Sequence, residues 1–174
     1  MARPPVVQNE TGASVPAAPV WNAAGVSIAT ATPVVSTSPA YTSGDVIGGK
    51  MTFPGMAREA GGSGLVQMVS IFSKSAQSFA GELWLFHTDP SNSTFTDNAA
   101  FSLNAADFDK VAAVVPISTW YPAGTPSFAE AAQLAMPYKL ASNQVDMQGV
   151  LVARATPTLA STSDIKVTVK GLLD

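Results

Sequence analysis

Cysteine is absent from the 174 residues, which excludes disulfides, thiolate metal sites and cysteine nucleophiles and leaves the redox compartment open. Charge is scarce too. Nine Lys and Arg face twelve Asp and Glu, 12 % of the chain with a net −3, about half the usual charged fraction. No basic run or face exists, so direct nucleic-acid binding through phosphates is not expected. One histidine rules out a multi-histidine metal site. No apolar run approaches the roughly eighteen residues of a membrane span. Near the start, Arg3-Pro4-Pro5 stands where a secretory signal would have its apolar region. The expectation is a soluble chain, made where it is used, with no membrane partner. A surface so poor in charge must be covered by Ser, Thr, Ala and Gly or by another protein, and weak self-repulsion favours assembly.

What is present is organised around Gly81-Glu-Leu-Trp-Leu-Phe-His-Thr-Asp-Pro90, the densest apolar run. Leu83 and Leu85 alternate with Trp84 and Phe86, so an extended segment carries large apolar groups on both faces. Ended by Asp89-Pro90, it predicts a strand buried on both sides. Further strands are expected at 44–53, with a bulge or bend at Gly48-Gly49, at 65–72, 111–117 and 149–154, and at 164–174. In the last, Ile165, Val167 and Val169 face inward while Lys166, Thr168 and Lys170 face water. Asn104 caps one or two helical turns over 104–110. The segment 127–135 has helical composition and a Ser127-x-x-Glu130 capping box, yet propensity is a weak guide and the segment could be extended. Short strands with Gly- and Pro-rich connections predict an all-β antiparallel sandwich, of which the jelly roll is one form.

Residues 1–43 differ in texture. Prolines 4, 5, 16, 19, 33 and 39 forbid a continuous helix. Val6, Val7, Val20, Trp21, Val26, Ile28, Val34 and Val35 are too apolar for a solvating linker. The reading is an extended N-terminal arm over 1–43 ahead of a β-sandwich domain over 44–174. The arm lies on a partner surface with Trp21 as anchor, or else packs on its own domain or hangs loose. Trp120 and Tyr121 form a second candidate contact, suited to an interface or a ligand.

Chemistry is sparse. His87 offers one general base, but no Gly-x-Ser-x-Gly elbow accompanies it, and a structural histidine at a strand end accounts for it better. Asp89, Asp97, Asp107 and Asp109 gather around one polar stretch without calcium-loop spacing; turn and capping roles explain them more simply. Gly61-Gly62-Ser63-Gly64 lacks the Gly-Lys-Ser/Thr ending of a phosphate loop and reads as a plain loop. No catalytic, metal or cofactor residue is therefore assigned, and no enzyme is expected.

Several segments together carry a resemblance. They are Ala40-Tyr-Thr-Ser-Gly-Asp-Val-Ile-Gly-Gly-Lys50, Leu83-Trp-Leu-Phe with Asp89-Pro90, Thr94-Phe-Thr-Asp-Asn-Ala99 and Val114-Val-Pro-Ile117. Met136-Pro-Tyr-Lys-Leu140, Gly149-Val-Leu-Val-Ala-Arg-Ala155 and Thr162-Ser-Asp-Ile165 follow. In this order, across about residues 40–174, the chain resembles small tailed-bacteriophage virion proteins that decorate or cement the capsid. These are strand and turn positions, so they speak for the fold more than for the role. The resemblance implies a jelly-roll-like sandwich on the outside of a capsid. Its partners would be the major capsid protein and further copies of itself, as a trimer or dimer, and it would resist internal DNA pressure. A carbohydrate-binding module, a virion hydrolase and another tail or head-completion protein stay open, because jelly rolls also serve as lectins.

Overall fold

The computed structural model describes residues 6–8, 14–16 and 25–174, the first two stretches by their strand pairing alone. In these, β1 (Val6–Gln8) pairs antiparallel with β2 (Ser14–Pro16). The sandwich runs from β3 (Gly25–Ala31) through β4 (Val46–Phe53), β5 (Ser63–Ser73), β6 (Gly81–Phe86), β7 (Val111–Ile117), β8 (Trp120–Pro122) and β9 (Ser127–Lys139). It closes with β10 (Met147–Ala153) and β11 (Ile165–Leu173).

One sheet has the order β4-β10-β6-β7 and the other β3-β11-β5-β9-β8. Every strand pairing in both is antiparallel. Leaving out the short β8, the pairs β3–β11, β4–β10, β5–β9 and β6–β7 are the rungs of one long hairpin. Wrapping that hairpin lays β11 beside β5 in one sheet and β10 beside β6 in the other. This is the eight-stranded jelly roll, and the protein is a jelly-roll-like all-β sandwich.

Between the sheets lies a core of inward side chains, including Phe53, Val69, Ile71, Leu83, Leu85, Leu151, Val167 and Val169. Apolar burial at about 25 cal/mol per Å² is what drives the two sheets together. The expected alternation holds on β11, whose Ile165, Val167 and Val169 enter this core. β6 is buried on both sides: Leu83 and Leu85 face the inter-sheet core, and Phe86 enters a second cluster with Trp84 against it. The Gly48-Gly49 bulge is present, where the β10 register jumps from Lys50 to Ile47. Both glycines have positive φ, 76° and 74°. A Cβ on Gly48 would sit 2.2 Å from the Pro33 Cβ, so both the turn and the close approach require glycine there.

One expectation changes, and one open reading is decided. The arm expected over 1–43 gives way at Gly25, because β3 is a strand of the five-stranded sheet, in register with β11 from Val167↔Ala31 to Leu173↔Gly25. Its inward residues are the small Ser27 and Ala29, while Val26 and Ile28 point out; the hydrophobic pattern therefore resembled a loose arm. The sandwich begins at 25, not 44. The segment 127–135, open between helix and strand in the sequence, is strand β9. Ser127 does not cap. Its hydroxyl donates to the Ser75 carbonyl at 2.8 Å and accepts from the Gln77 N–H at 2.9 Å. Pairing with β5 on one side and β8 on the other overrides the local helical preference. The irregularity is taken up at 133–135, where Gln133 and Ala135 have positive φ in a bulge opposite Gln67.

Candidate functional site

The outer faces of the two sheets have different fates. Over the four-stranded sheet lies the segment 87–110, the connection from β6 to β7. It places Phe95, Phe101 and Leu103 against Val46, Phe86, Val150 and Val152. The Phe95 and Phe101 rings stack with centroids 5.6 Å apart, and Trp84 meets Phe101 at 4.9 Å. This cover explains why every residue of β10 is buried.

Two aspartates order the cover, one within it and one against the rest of the fold. Asp107, fully buried, accepts from Asn92 Nδ2 at 2.9 Å and Ser93 Oγ at 2.6 Å, with Lys110 Nζ at 2.8 Å. Burial alone would push its carboxyl up, but these three donors outweigh burial and hold it well below the usual carboxylate range. Asp107 lies in a 3-10 turn, Ala105–Lys110, capped as expected by Asn104, whose Oδ1 accepts from the Ala106 N–H at 2.9 Å. Asp97 accepts from the Tyr41 hydroxyl at 2.7 Å, Gly48 N–H at 2.6 Å, Ser36 N–H at 2.8 Å and Ser36 hydroxyl at 2.6 Å. It ties the cover to the glycine bulge and to the segment entering β4. Of the aspartates expected in turns, Asp107 thus folds the long connection onto itself and Asp97 ties it to the rest of the fold.

The outer face of the five-stranded sheet carries no such segment among the described residues. Its registers align four cross-strand rows. The first is Val26, Leu172, Leu65, Pro137, and the second Ile28, Lys170, Met68, Ala132. The third is polar: Thr30, Thr168, Ser70, Glu130, with the two threonine hydroxyls 3.0 Å apart. The fourth is Lys166, Phe72, Phe128, Tyr121. An apolar end and an aromatic end therefore flank a hydroxyl band, and Lys166, Lys170 and Glu130 are the charges these rows carry. Val26, Ile28, Phe72, Leu172 and Tyr121 are all exposed. The face therefore carries two apolar patches, one aliphatic and one aromatic, on either side of a polar band.

The expected contact residues divide accordingly. Val26, Ile28 and Tyr121 lie on this face. Val34 is exposed beyond the strand, whereas Val35 is buried in the core. Trp120 turns inward, its indole N–H donating to the Phe79 carbonyl at 2.6 Å, with the rings 5.0 Å apart. Neighbours on a strand point to opposite faces, so the Trp120-Tyr121 pair is divided. Val6 and Val7 belong to β1; Val20 and Trp21 fall outside the described residues. Leu65, Met68, Phe72 and Phe128 escaped sequence reading. Alternation within each strand marks them as outward, but only the register brings them together.

His87 ends the central strand, its N–H bonded to the Lys110 carbonyl and its carbonyl to the Ala141 N–H. Among the described residues no three His, Cys, Asp or Glu converge to hold a metal. The Gly61–Gly64 loop borders a cleft of about 430 Å³ with Arg58, Lys139 and Asp174. The Gly61 and Gly62 N–H groups bond the Gln144 and Glu59 carbonyls, so the loop is bound to its own protein and forms no phosphate cradle. No helix of the described residues is long and apolar enough to cross a membrane.

Fold and site together define a jelly-roll sandwich in which the described residues cover one outer face and leave the other uncovered. No family model and no curated protein matches the chain. Among solved structures, a chain from the native virion of Kashmir bee virus at acidic pH is similar at 14 % identity. The alignment covers 87 % of this chain and 69 % of that one, with a TM-score of 0.25.

Proposed function

We propose that this protein is a structural component of a phage virion that binds the outside of the capsid and cements the major capsid protein lattice against internal DNA pressure. The observation that carries the reading is the asymmetry of the two outer faces. Among the described residues only the five-stranded sheet presents an apolar outer surface, with Val26, Leu172, Leu65 and Pro137 at one end and Phe72, Phe128 and Tyr121 at the other. Low charge and the resemblance over about 40–174 support it. So does an N-terminal segment with Val6, Val7, Val20 and Trp21, which enters the fold at Gly25 beside the apolar row. Many modest contacts repeated by lattice symmetry stabilise a shell without any single tight site. Under this reading the protein is made in the bacterial host cytoplasm and resides on the virion surface. Its partners are the major capsid protein and further copies of itself, and it needs no cofactor.

The test is truncation. Deleting 2–39 would remove β3 together with the core residues Ala29 and Val35, so the informative deletion is 2–24. This variant is expected to keep a wild-type far-UV spectrum and to reoccupy capsids lacking the protein at least tenfold less well, a loss of about 1.4 kcal/mol per contact set. Wild-type occupancy would remove the segment from the interface.

One observation favours a carbohydrate-binding reading: the exposed aromatic row around Tyr121, since aromatic faces stack on sugar rings. Glycan-array binding abolished by Tyr121→Ala would support that rival.

A further inference from the structure

A strand at the rim of a sheet offers unpaired N–H and C=O groups to any other strand, and proteins block such rims with prolines, bulges, charges or covering segments. Three of the four rims of this sandwich are blocked. β7 contains Pro116. β8 is three residues long and ends in Pro122. β4 is bulged at Gly48-Gly49 and bonded along its outer side by 98–101. There Val46 N–H meets the Ala99 carbonyl, Asn98 N–H meets the Val46 carbonyl, and Asp45 bridges Ala100.

The fourth rim is β3, and among the described residues it has none of these devices. Its seven residues, Gly-Val-Ser-Ile-Ala-Thr-Ala, contain no proline and no charge, and their register with β11 is unbroken. β1 and β2 pair with each other, not with β3. Its outward side chains Val26 and Ile28 are 68 % and 65 % exposed.

We infer that β3 is a strand-addition edge whose occupant is β3 of a second copy, paired antiparallel about a twofold axis at Ile28. The strand's chemistry is symmetric about that residue. Ile28 is the middle of Gly25–Ala31, so the twofold sets Ile28 against Ile28 and Val26 against Thr30 on the outer face. Ser27 meets Ala29 on the inner one. All are small or β-branched, and no like charges oppose each other, which is what an isologous contact requires. Seven residues give a paired length of about 23 Å. The two five-stranded sheets become one ten-stranded sheet, in which the Ile28 row runs on into its own counterpart and the Val26 row meets the Thr30 row of the second copy. The inference stands apart from the capsid reading, since it concerns what the edge pairs with and not where the assembly sits.

Sedimentation of the full chain is expected to show a dimer. Ile28→Lys sets two ammonium groups opposite each other on an exposed position. It is expected to raise the dimer dissociation constant at least tenfold while leaving circular dichroism and melting of the monomer unchanged. The absence of native cysteine allows a second readout. Opposed Cβ atoms in an antiparallel pair lie about 4.5–5.5 Å apart, close enough for a disulfide after slight adjustment. Ile28→Cys is therefore expected to oxidise to a covalent dimer, whereas Val34→Cys, equally exposed but off the strand, is not. A wild-type monomer at every concentration would overturn the inference. So would a dimer that Ile28→Lys leaves intact, or equal cross-linking of the two cysteine variants.

Discussion

Asp97→Ala is expected to lower the stability of the chain by about 3–5 kcal/mol, a fall of roughly 10 °C in melting temperature for a domain this size. The carboxylate is the common acceptor for four donors from three residues: Ser36 N–H and hydroxyl, the Tyr41 hydroxyl and the Gly48 N–H. Tyr41 is buried in the core. Burial and its bond to Asp97 push its hydroxyl above the ordinary phenol range, so it enters the site as a donor. Removing the acceptor leaves these donors short of partners, and each buried unsatisfied group costs about 1–3 kcal/mol, less where water can enter. Tyr41→Phe removes one donor and leaves the carboxylate three others, so its cost should be nearer 1 kcal/mol. Urea unfolding of both variants checks the difference. A loss under about 1 kcal/mol for Asp97→Ala would mean that water replaces the carboxylate, and that apolar packing holds the cover on the four-stranded sheet.

The second large effect is on assembly, with stability unchanged. Phe72→Glu combined with Tyr121→Glu is expected to reduce capsid occupancy about a hundredfold while melting within about 2 °C of wild type. Both residues belong to the aromatic row, and both are exposed, 39 % and 50 %, so the fold loses little when they change. At an interface each would be desolvated, and central aromatic anchors contribute on the order of 2 kcal/mol apiece. A carboxylate in that position adds a desolvation cost of its own. The control is Phe108→Glu. Phe108 is 66 % exposed but sits on the segment covering the opposite sheet, where occupancy should not change. Equal losses from the two variants would mean that the five-stranded face has no special role.

What the sequence disclosed, and what it withheld, follows from the range of the interactions. The double burial of β6 was legible because Leu83 and Leu85 alternate with Trp84 and Phe86 within six residues. The Gly48-Gly49 bulge, the Asn104 cap and the inward face of β11 were legible for the same reason: each is set by near neighbours. β3 was not, because its inward residues are Ser27 and Ala29 and its apolar ones face out, reversing the usual sign of the pattern. β9 was left open between helix and strand, since pairing with β5 and β8, distant in the chain, decides it. The open face was the least legible part. Phe72, Phe128 and Tyr121 come together only through two strand registers, and the face stands out only because 87–110 covers the other sheet. Trp21 as an anchor belongs to the segment outside the described residues, and the 2–24 truncation addresses it directly.

The central claim is that the protein is a repeated part of a virion shell, and counting copies tests it most directly. Quantitative mass spectrometry of purified virions, referenced to the major capsid protein, is expected to give a ratio near one or a simple fraction of it. That corresponds to on the order of hundreds of copies, as a symmetric lattice demands. About a dozen copies or fewer would fit a tail or portal ring of cyclic symmetry and contradict the account, as would absence from the virion.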